Sequence, residues 1–151
     1  MPAGRGTSEG RILIVDDESS IRLVCRVNLA SAGFETLEAE EGETAVSVAR
    51  TERPDLILLD IMLPGEDGWE VARKLAADPE TREIPVVFLT ARSAAADESR
   101  AHAVGGVGYI AKPFDPATLP ETVAEVLERL RRGEREAMRR EWESSIEDVP
   151  S

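Results

Sequence analysis

The run Asp55-Leu56-Ile57-Leu58-Leu59-Asp60-Ile61-Met62-Leu63-Pro64-Gly65 constrains the fold most. Four apolar residues lead without interruption into one carboxylate, and a Pro-Gly turn follows. A continuous apolar run bounded by polar and turn residues reads as a strand buried on both faces. Burial suits Leu58 and Leu59. It does not suit Asp60 unless that carboxylate is paired, bound to metal or at the open end of the strand. The stretch therefore predicts a parallel sheet with Asp60 as a reactive carboxylate at its mouth.

The rest of the chain repeats the theme. Residues 1–10 are rich in Gly, Pro and Ser and are expected to be a disordered tail. Arg11 to Val15 is a buried strand ending in Asp16-Asp17-Glu18, with Ser19 or Ser20 as the expected cap of the helix that follows. Ile21, Val24, Cys25 and Leu29 give that helix its inner face, and Gly33 closes it. Phe34 to Glu38 alternates as a more exposed strand, and Ala45, Val48 and Ala49 mark a second helix. Trp69 to Ala77 is a third, with Trp69 beside the Pro64-to-Gly68 loop. Ile84 to Leu89 is the fourth strand, ending at Thr90, and Pro85 fits only at its start. Ala94 to Val104 is a weakly apolar helix. Val107 to Ala111 is the fifth strand, ending at Lys112-Pro113-Phe114. Thr118-Leu119-Pro120-Glu121 matches a capping box for a last helix striped by Leu119, Val123, Val126, Leu127 and Leu130. Five alternations of strand and helix predict an α/β fold with a doubly wound, five-stranded parallel sheet and five helices on its two faces.

Composition narrows the function. A formal net charge of -12 over 151 residues argues against non-specific nucleic-acid binding and against an anionic membrane surface, and suits a divalent cation. No apolar run is long enough to span a membrane, and Met1 to Gly10 has no signal-peptide core. Cys25 is the one cysteine and reads as a small core hydrophobe. The expected setting is cytoplasmic. The lone His102 has no metal-ligand spacing around it and reads as a surface residue.

Asp16, Asp17, Asp60, Thr90 and Lys112 all stand immediately after apolar strands. In open α/β sheets ligands bind outside the carboxyl ends of the strands, at the switch point in strand order. With the order 2-1-3-4-5 the first and third strands are neighbours, and Asp17 and Asp60 face each other there. Carboxylates held so close repel, and a hard cation with oxygen ligands relieves them, Mg²⁺ being expected. Lys112 and the Thr90 hydroxyl suit phosphate oxygens. Together the parts suit phosphoryl transfer to a carboxylate. Asp16-Asp17-Glu18 also suits a charge cluster at a helix N-terminus, and both roles can hold.

These residues carry a resemblance. Asp16-Asp17-Glu18, Asp60-Ile61-Met62-Leu63-Pro64, Thr90-Ala91 and Tyr109-Ile110-Ala111-Lys112-Pro113-Phe114 resemble, in order, spacing and flanking residues, the receiver domain of two-component response regulators. The match covers about residues 11–132 and implies a flavodoxin-like fold. It implies that Asp60 accepts phosphate from a sensor histidine kinase or a histidine phosphotransfer protein. It implies Mg²⁺ bound by Asp17, Asp60 and the backbone carbonyl of Met62, with Asp16 helping through water. Lys112 and Thr90 would contact the phosphoryl group, Thr90 and Tyr109 would form the switch, and Lys112-Pro113 would be cis. The domain would catalyse only its own phosphorylation and dephosphorylation, with Met62 and Arg92 lining the path of water. The output surface is expected on the 94–104 helix, the fifth strand and the last helix, facing an unidentified protein target.

Three other functions compete. A haloacid-dehalogenase-like phosphatase also uses an Asp after a parallel strand, but needs a second acid where Met62 stands. A receiver-like module that never takes phosphate usually lacks a key residue, and none is missing. A DNA-binding regulator needs more chain than the residues after 132 provide for a helix-turn-helix, so a stand-alone receiver is expected. Residues 133–151 form a charged, partly helical tail outside the resemblance. Met138, Trp142 and Ile146 recur every four residues there. Gly133 could break the last helix and let the tail fold back, or be carried through it. The reading adopted is continuation, with the stripe covered by a partner or by a second copy in a homodimer, against the plainer reading of a frayed, solvated helix.

Overall fold

A computed structural model describes residues 9–90 and 106–147. Five strands, β1 (Arg11–Val15), β2 (Glu35–Ala39), β3 (Leu56–Leu59), β4 (Val86–Thr90) and β5 (Gly106–Ala111), form one sheet. Every pairing is parallel, and the order is β2-β1-β3-β4-β5. The helices are α1 (Ser19–Ser31), α2 (Gly42–Glu52), α3 (Gly68–Ala77), α4 (Leu119–Arg131) and α5 (Arg135–Glu147), with a 3-10 turn at Pro116–Thr118 before α4. The expected helix over 94–104, with His102, and the Arg92 side chain lie outside the described residues. So do the side chains of Thr90, Trp142 and Ile146. The structure is the flavodoxin-like, doubly wound arrangement expected of the alternating pattern.

Successive residues of the central strands point to opposite faces, and both faces are covered, which is why β1 and β3 are apolar at every position. Leu13, Val15, Ile57, Leu59 and Phe88 pack under α2 and α3 with Ala45, Ala49, Trp69, Val71 and Leu75. Ile12, Ile14, Leu56, Leu58, Val87, Leu89 and Val107 pack under α1 and α4 with Cys25, Leu29, Leu119, Val123 and Leu127. Trp69, the first apolar residue of α3, meets Phe88 at a ring-centroid distance of 4.7 Å. Residues Ile12 to Val15 and Leu56 to Leu59 are wholly buried, each large side chain contributing about 1.5–3 kcal/mol.

Two caps differ from expectation. Glu18, not Ser19 or Ser20, is the N-cap of α1, and it makes no side-chain cap. Its own N–H donates instead to Asp16 Oδ1 at 2.9 Å, so the turn after β1 is closed from the strand side. Thr118 stands at the N-cap of α4 but does not form the capping box. Its hydroxyl donates to the Asp115 carbonyl at 2.8 Å, while the Asp115 carboxylate accepts from Ala117 N–H at 3.0 Å. An aspartate three residues upstream has taken over the turn, as short side chains do when they compete for local backbone groups.

The tail does not continue α4. Gly133 has φ +77°, the left-handed conformation that ends helices, and its N–H donates to Leu130 O while Glu134 N–H donates to Arg129 O. Helix α5 folds back against β5, and Met138 enters the same core as Val87, Leu89 and Val107 at 6% exposure. Arg129 Nε donates to Glu134, and its two terminal nitrogens donate to Glu141 at 2.9 and 2.6 Å. Arg135 donates to the Glu83 carbonyl. The expected continuation through Gly133 and the frayed alternative both give way to a helix packed on its own sheet. Met138→Ala should therefore lower unfolding free energy in urea by about 2 kcal/mol or more, the usual cost for a buried methionine. A frayed tail would show no change.

Candidate functional site

Strand register builds the site. Val15 is paired with Leu59, so the next residues, Asp16 and Asp60, emerge side by side from β1 and β3. The Asp60 N–H donates to Val15 O at 2.9 Å and extends the ladder by one step. Thr90 is paired with Ala111, so Lys112 leaves β5 at the same edge. The Lys112–Pro113 peptide is cis.

Lys112 Nζ lies 2.8 Å from Asp16 Oδ2 and 3.1 Å from Asp60 Oδ2. The other oxygen of each carboxylate is held by the backbone two residues on: Glu18 N–H donates to Asp16 Oδ1, and Met62 N–H donates to Asp60 Oδ1, both at 2.9 Å. The two acids are thus fixed alike, one oxygen by a turn and one by the shared ammonium. Asp16 is 0% and Asp60 3% exposed, whereas Asp17 faces solvent. Asp16, Asp17 and Asp60 can each offer one oxygen with all three within 4.8 Å of one another. An all-oxygen, triply acidic set with one exposed member can hold a hard divalent cation.

Burial dominates the electrostatics. It pushes the Asp60 carboxyl above its ordinary value; Met62 N–H and Lys112 pull it down, and the Asp16 charge pushes it up again. Burial also works against the charge on Lys112, but its hydrogen bonds to Asp16 and Asp60 outweigh that and raise it. Cys25 is pushed up to about 12, by burial first, and is a core thiol.

Of the other expected residues, Met62 is 69% exposed and touches Asp60 through its backbone. Tyr109 is half-buried, paired with Phe88 across the sheet and packed against the α2–α3 side of the core. Thr90 is the last residue of β4.

Two contributors escaped the sequence reading. Gly68, which the sequence places in a loop, carries the start of α3 against the Asp60 turn. A Cβ on it would collide with the Asp60 carbonyl and come within 2.6 Å of Ile61 Cα, and its N–H donates to Ile61 O at 2.7 Å. Only glycine allows that approach. Arg22 on α1 donates to the Asp16 carbonyl at 2.7 Å and pairs with Glu38. The Asp67-Gly68 pair was a visible turn signal for the first. The second is a largely buried arginine with no signal in its spacing.

Carboxylates at the ends of β1 and β3 and a lysine at the end of β5 converge at the switch point of this fold. The response regulator receiver domain model matches residues 12–124, and the chain belongs to that family. Over 126 residues it is 46% identical to the phosphate regulon transcriptional regulatory protein PhoB of Pseudomonas aeruginosa, covering 83% of this chain and 55% of that protein. Over 121 residues it is 45% identical to PhoB of Escherichia coli, covering 80% and 52%. The chain thus spans about half the length of these curated relatives. The chemotaxis response regulator CheY4 of Vibrio cholerae superposes with a TM-score of 0.71 at 32% identity, covering 77% of this chain and 97% of that one. The signal receiver domain of a signal transduction histidine kinase from Syntrophus aciditrophicus superposes at 0.69 and 33% identity, covering 82% and 91%. No helix among the described residues is long and apolar enough to cross a membrane.

The raised Asp60 value has a direct consequence for stability. The folded state holds the Asp60 proton more tightly than the unfolded chain, so its contribution falls as pH rises from the ordinary 3.8 through the elevated value. Above that range the ionised side chain is a fixed cost. Asp60→Asn should raise Tm at neutral pH, because it removes a charge that burial disfavours. Below pH 3.8 the difference should close. A lower Tm for the variant at neutral pH would show that the charge is stabilising.

Proposed function

We propose that this chain is a phosphorylation-driven signalling switch in which Asp60 accepts a phosphoryl group from a sensor histidine kinase or a histidine phosphotransfer protein. One observation carries the reading: the Lys112 ammonium spans Asp16 and Asp60, with the Asp17 carboxylate inside the same cluster. A single cation between two buried carboxylates leaves the mouth net negative. A dianionic phosphoryl donor can approach it only once that charge is balanced. The Asp16, Asp17 and Asp60 carboxylates with the Met62 carbonyl would hold Mg²⁺, which supplies that balance at the reacting group.

The chain's own groups do the rest. Met62 N–H fixes Asp60 Oδ1 and so aims the carboxylate. An Asp60 oxygen forms the bond to phosphorus as the P–N bond of the donor breaks, and the imidazole leaves with the bonding pair and takes a proton from water. Lys112 then exchanges its Asp60 contact for a phosphoryl oxygen, as a compact point charge on a flexible stem can. The Thr90 hydroxyl turns toward the same group, and Tyr109 follows into the space vacated, passing the change to β5, α4 and a protein target. The phosphoryl group carries about -1.5 to -2 charges and replaces the single charge of the carboxylate, so about one negative charge and three new acceptor oxygens bias the two-state element. On this reading the protein acts in the cytoplasm and is no turnover enzyme: it catalyses only its own phosphorylation and dephosphorylation. The phosphatase alternative has no support at Met62, whose apolar side chain stands where that mechanism needs an acid.

Incubation with acetyl phosphate and Mg²⁺, followed by intact mass, tests the assignment. The wild-type chain should gain one phosphoryl mass, Asp60→Asn none, and Asp17→Ala should need markedly more Mg²⁺. A phosphoryl mass on Asp60→Asn, or unchanged Mg²⁺ dependence in Asp17→Ala, would move the site elsewhere.

A further inference from the structure

The docked tail is joined to α4 by the short turn Arg132–Glu134, whose middle residue has an unusual conformation. Gly133 takes φ +77° at the end of α4, and a Cβ built there meets nothing within 4 Å, so the hinge is unobstructed. On either side stand good helix formers: Leu130, Arg131 and Arg132 before it, Glu134 and Arg135 after it. If Gly133 takes a helical φ instead, α4 and α5 fuse into one straight helix about 40 Å long, at about 1.5 Å per residue. Helix α5 then leaves its own β5, and the surface that held Met138 is vacated.

The contacts that hold α5 specify what could refill that surface. Among the described residues they include the Met138 side chain against the Val87, Leu89 and Val107 cluster, the fork of Arg129 on Glu141, and Arg135 on the Glu83 carbonyl. In a fused helix Arg129 and Glu141 are separated by about 18 Å along the axis, so they cannot pair within one copy. Another copy's α5 carries the same Met138, Glu141 and Arg135 in the same order. The exchange is reciprocal, so it closes at two copies.

We propose that α5 is an exchangeable element: the chain forms a two-fold dimer in which each copy lays its α5 on β5 of the other, with Gly133 as the hinge and Arg129–Glu141 as the pair made between copies. The proposal is independent of phosphorylation at Asp60.

Light scattering of the full-length chain across a concentration series tests it. Alanine is strained at φ +77° and favoured in a helix, so Gly133→Ala should dimerise at concentrations at least tenfold below those at which the wild type does. Truncation after Arg132 should abolish the dimer. Arg129→Glu and Glu141→Arg each put like charges together within one copy. Mixed one to one, they should form a heterodimer by native mass spectrometry, because exchange restores both opposite-charge pairs. A Gly133→Ala protein that folds and stays monomeric would overturn the proposal, as would a truncated chain that still dimerises. If Gly133→Ala fails to fold, the mixture decides: absence of the heterodimer overturns the proposal.

Discussion

The Lys112 ammonium between Asp16 and Asp60 is the interaction on which the site depends. Two carboxylates less than one-twentieth exposed, on neighbouring strands, would ordinarily lose their charge on folding. Lys112 permits them to stand together, and two backbone N–H groups hold their remaining oxygens. The arrangement is only partly satisfied: burial still lifts Asp60 above its ordinary value. A site left short of positive charge in this way can take a hard cation, and Asp17 can offer it a solvent-side oxygen.

Everything else in the fold keeps those three groups in register. The pairing of Val15 with Leu59 sets the two acids abreast, and the pairing of Thr90 with Ala111 brings Lys112 to the same edge. These registers are held by strands buried on both faces, where a one-residue slip would carry every apolar side chain to the wrong layer. Gly68 lets α3 press against the Asp60 turn, and Arg22 ties α1 to the Asp16 carbonyl. Rigid strands thus carry the acids and lysine, while the exposed Met62 and Asp17 line the approach.

What the sequence disclosed follows from the same physics. Leu56 to Leu59 and Ile12 to Val15 were legible as strands because two-sided burial leaves an uninterrupted apolar run, and an acid ending such a run has few explanations. The strand order, with Asp16, Asp60 and Lys112 at one edge, followed from the alternation and the family likeness. The caps were not legible. Ser19 and Thr118 have the right chemistry, but the Asp16 and Asp115 carboxylates claim the same turns by accepting from backbone N–H groups two residues on. Gly68 showed as a turn and not as a close approach, because the carbonyl it faces belongs to another segment. The tail misled for a different reason. Its residues favour helix on both sides of Gly133, so local preference supports continuation. The fold-back is decided by Met138 entering a core made from β4 and β5, and by an arginine fork spanning 12 residues of sequence.

The most direct test of this account is the titration of Asp60 itself, followed by carbon NMR of its carboxyl group in the wild type and in Lys112→Met, with and without Mg²⁺. The account predicts a value above the ordinary 3.8 in the wild type, a further rise when the ammonium is removed, and a fall when Mg²⁺ is added. An Asp60 that titrates at its ordinary value and is indifferent to Lys112 and to Mg²⁺ would contradict it.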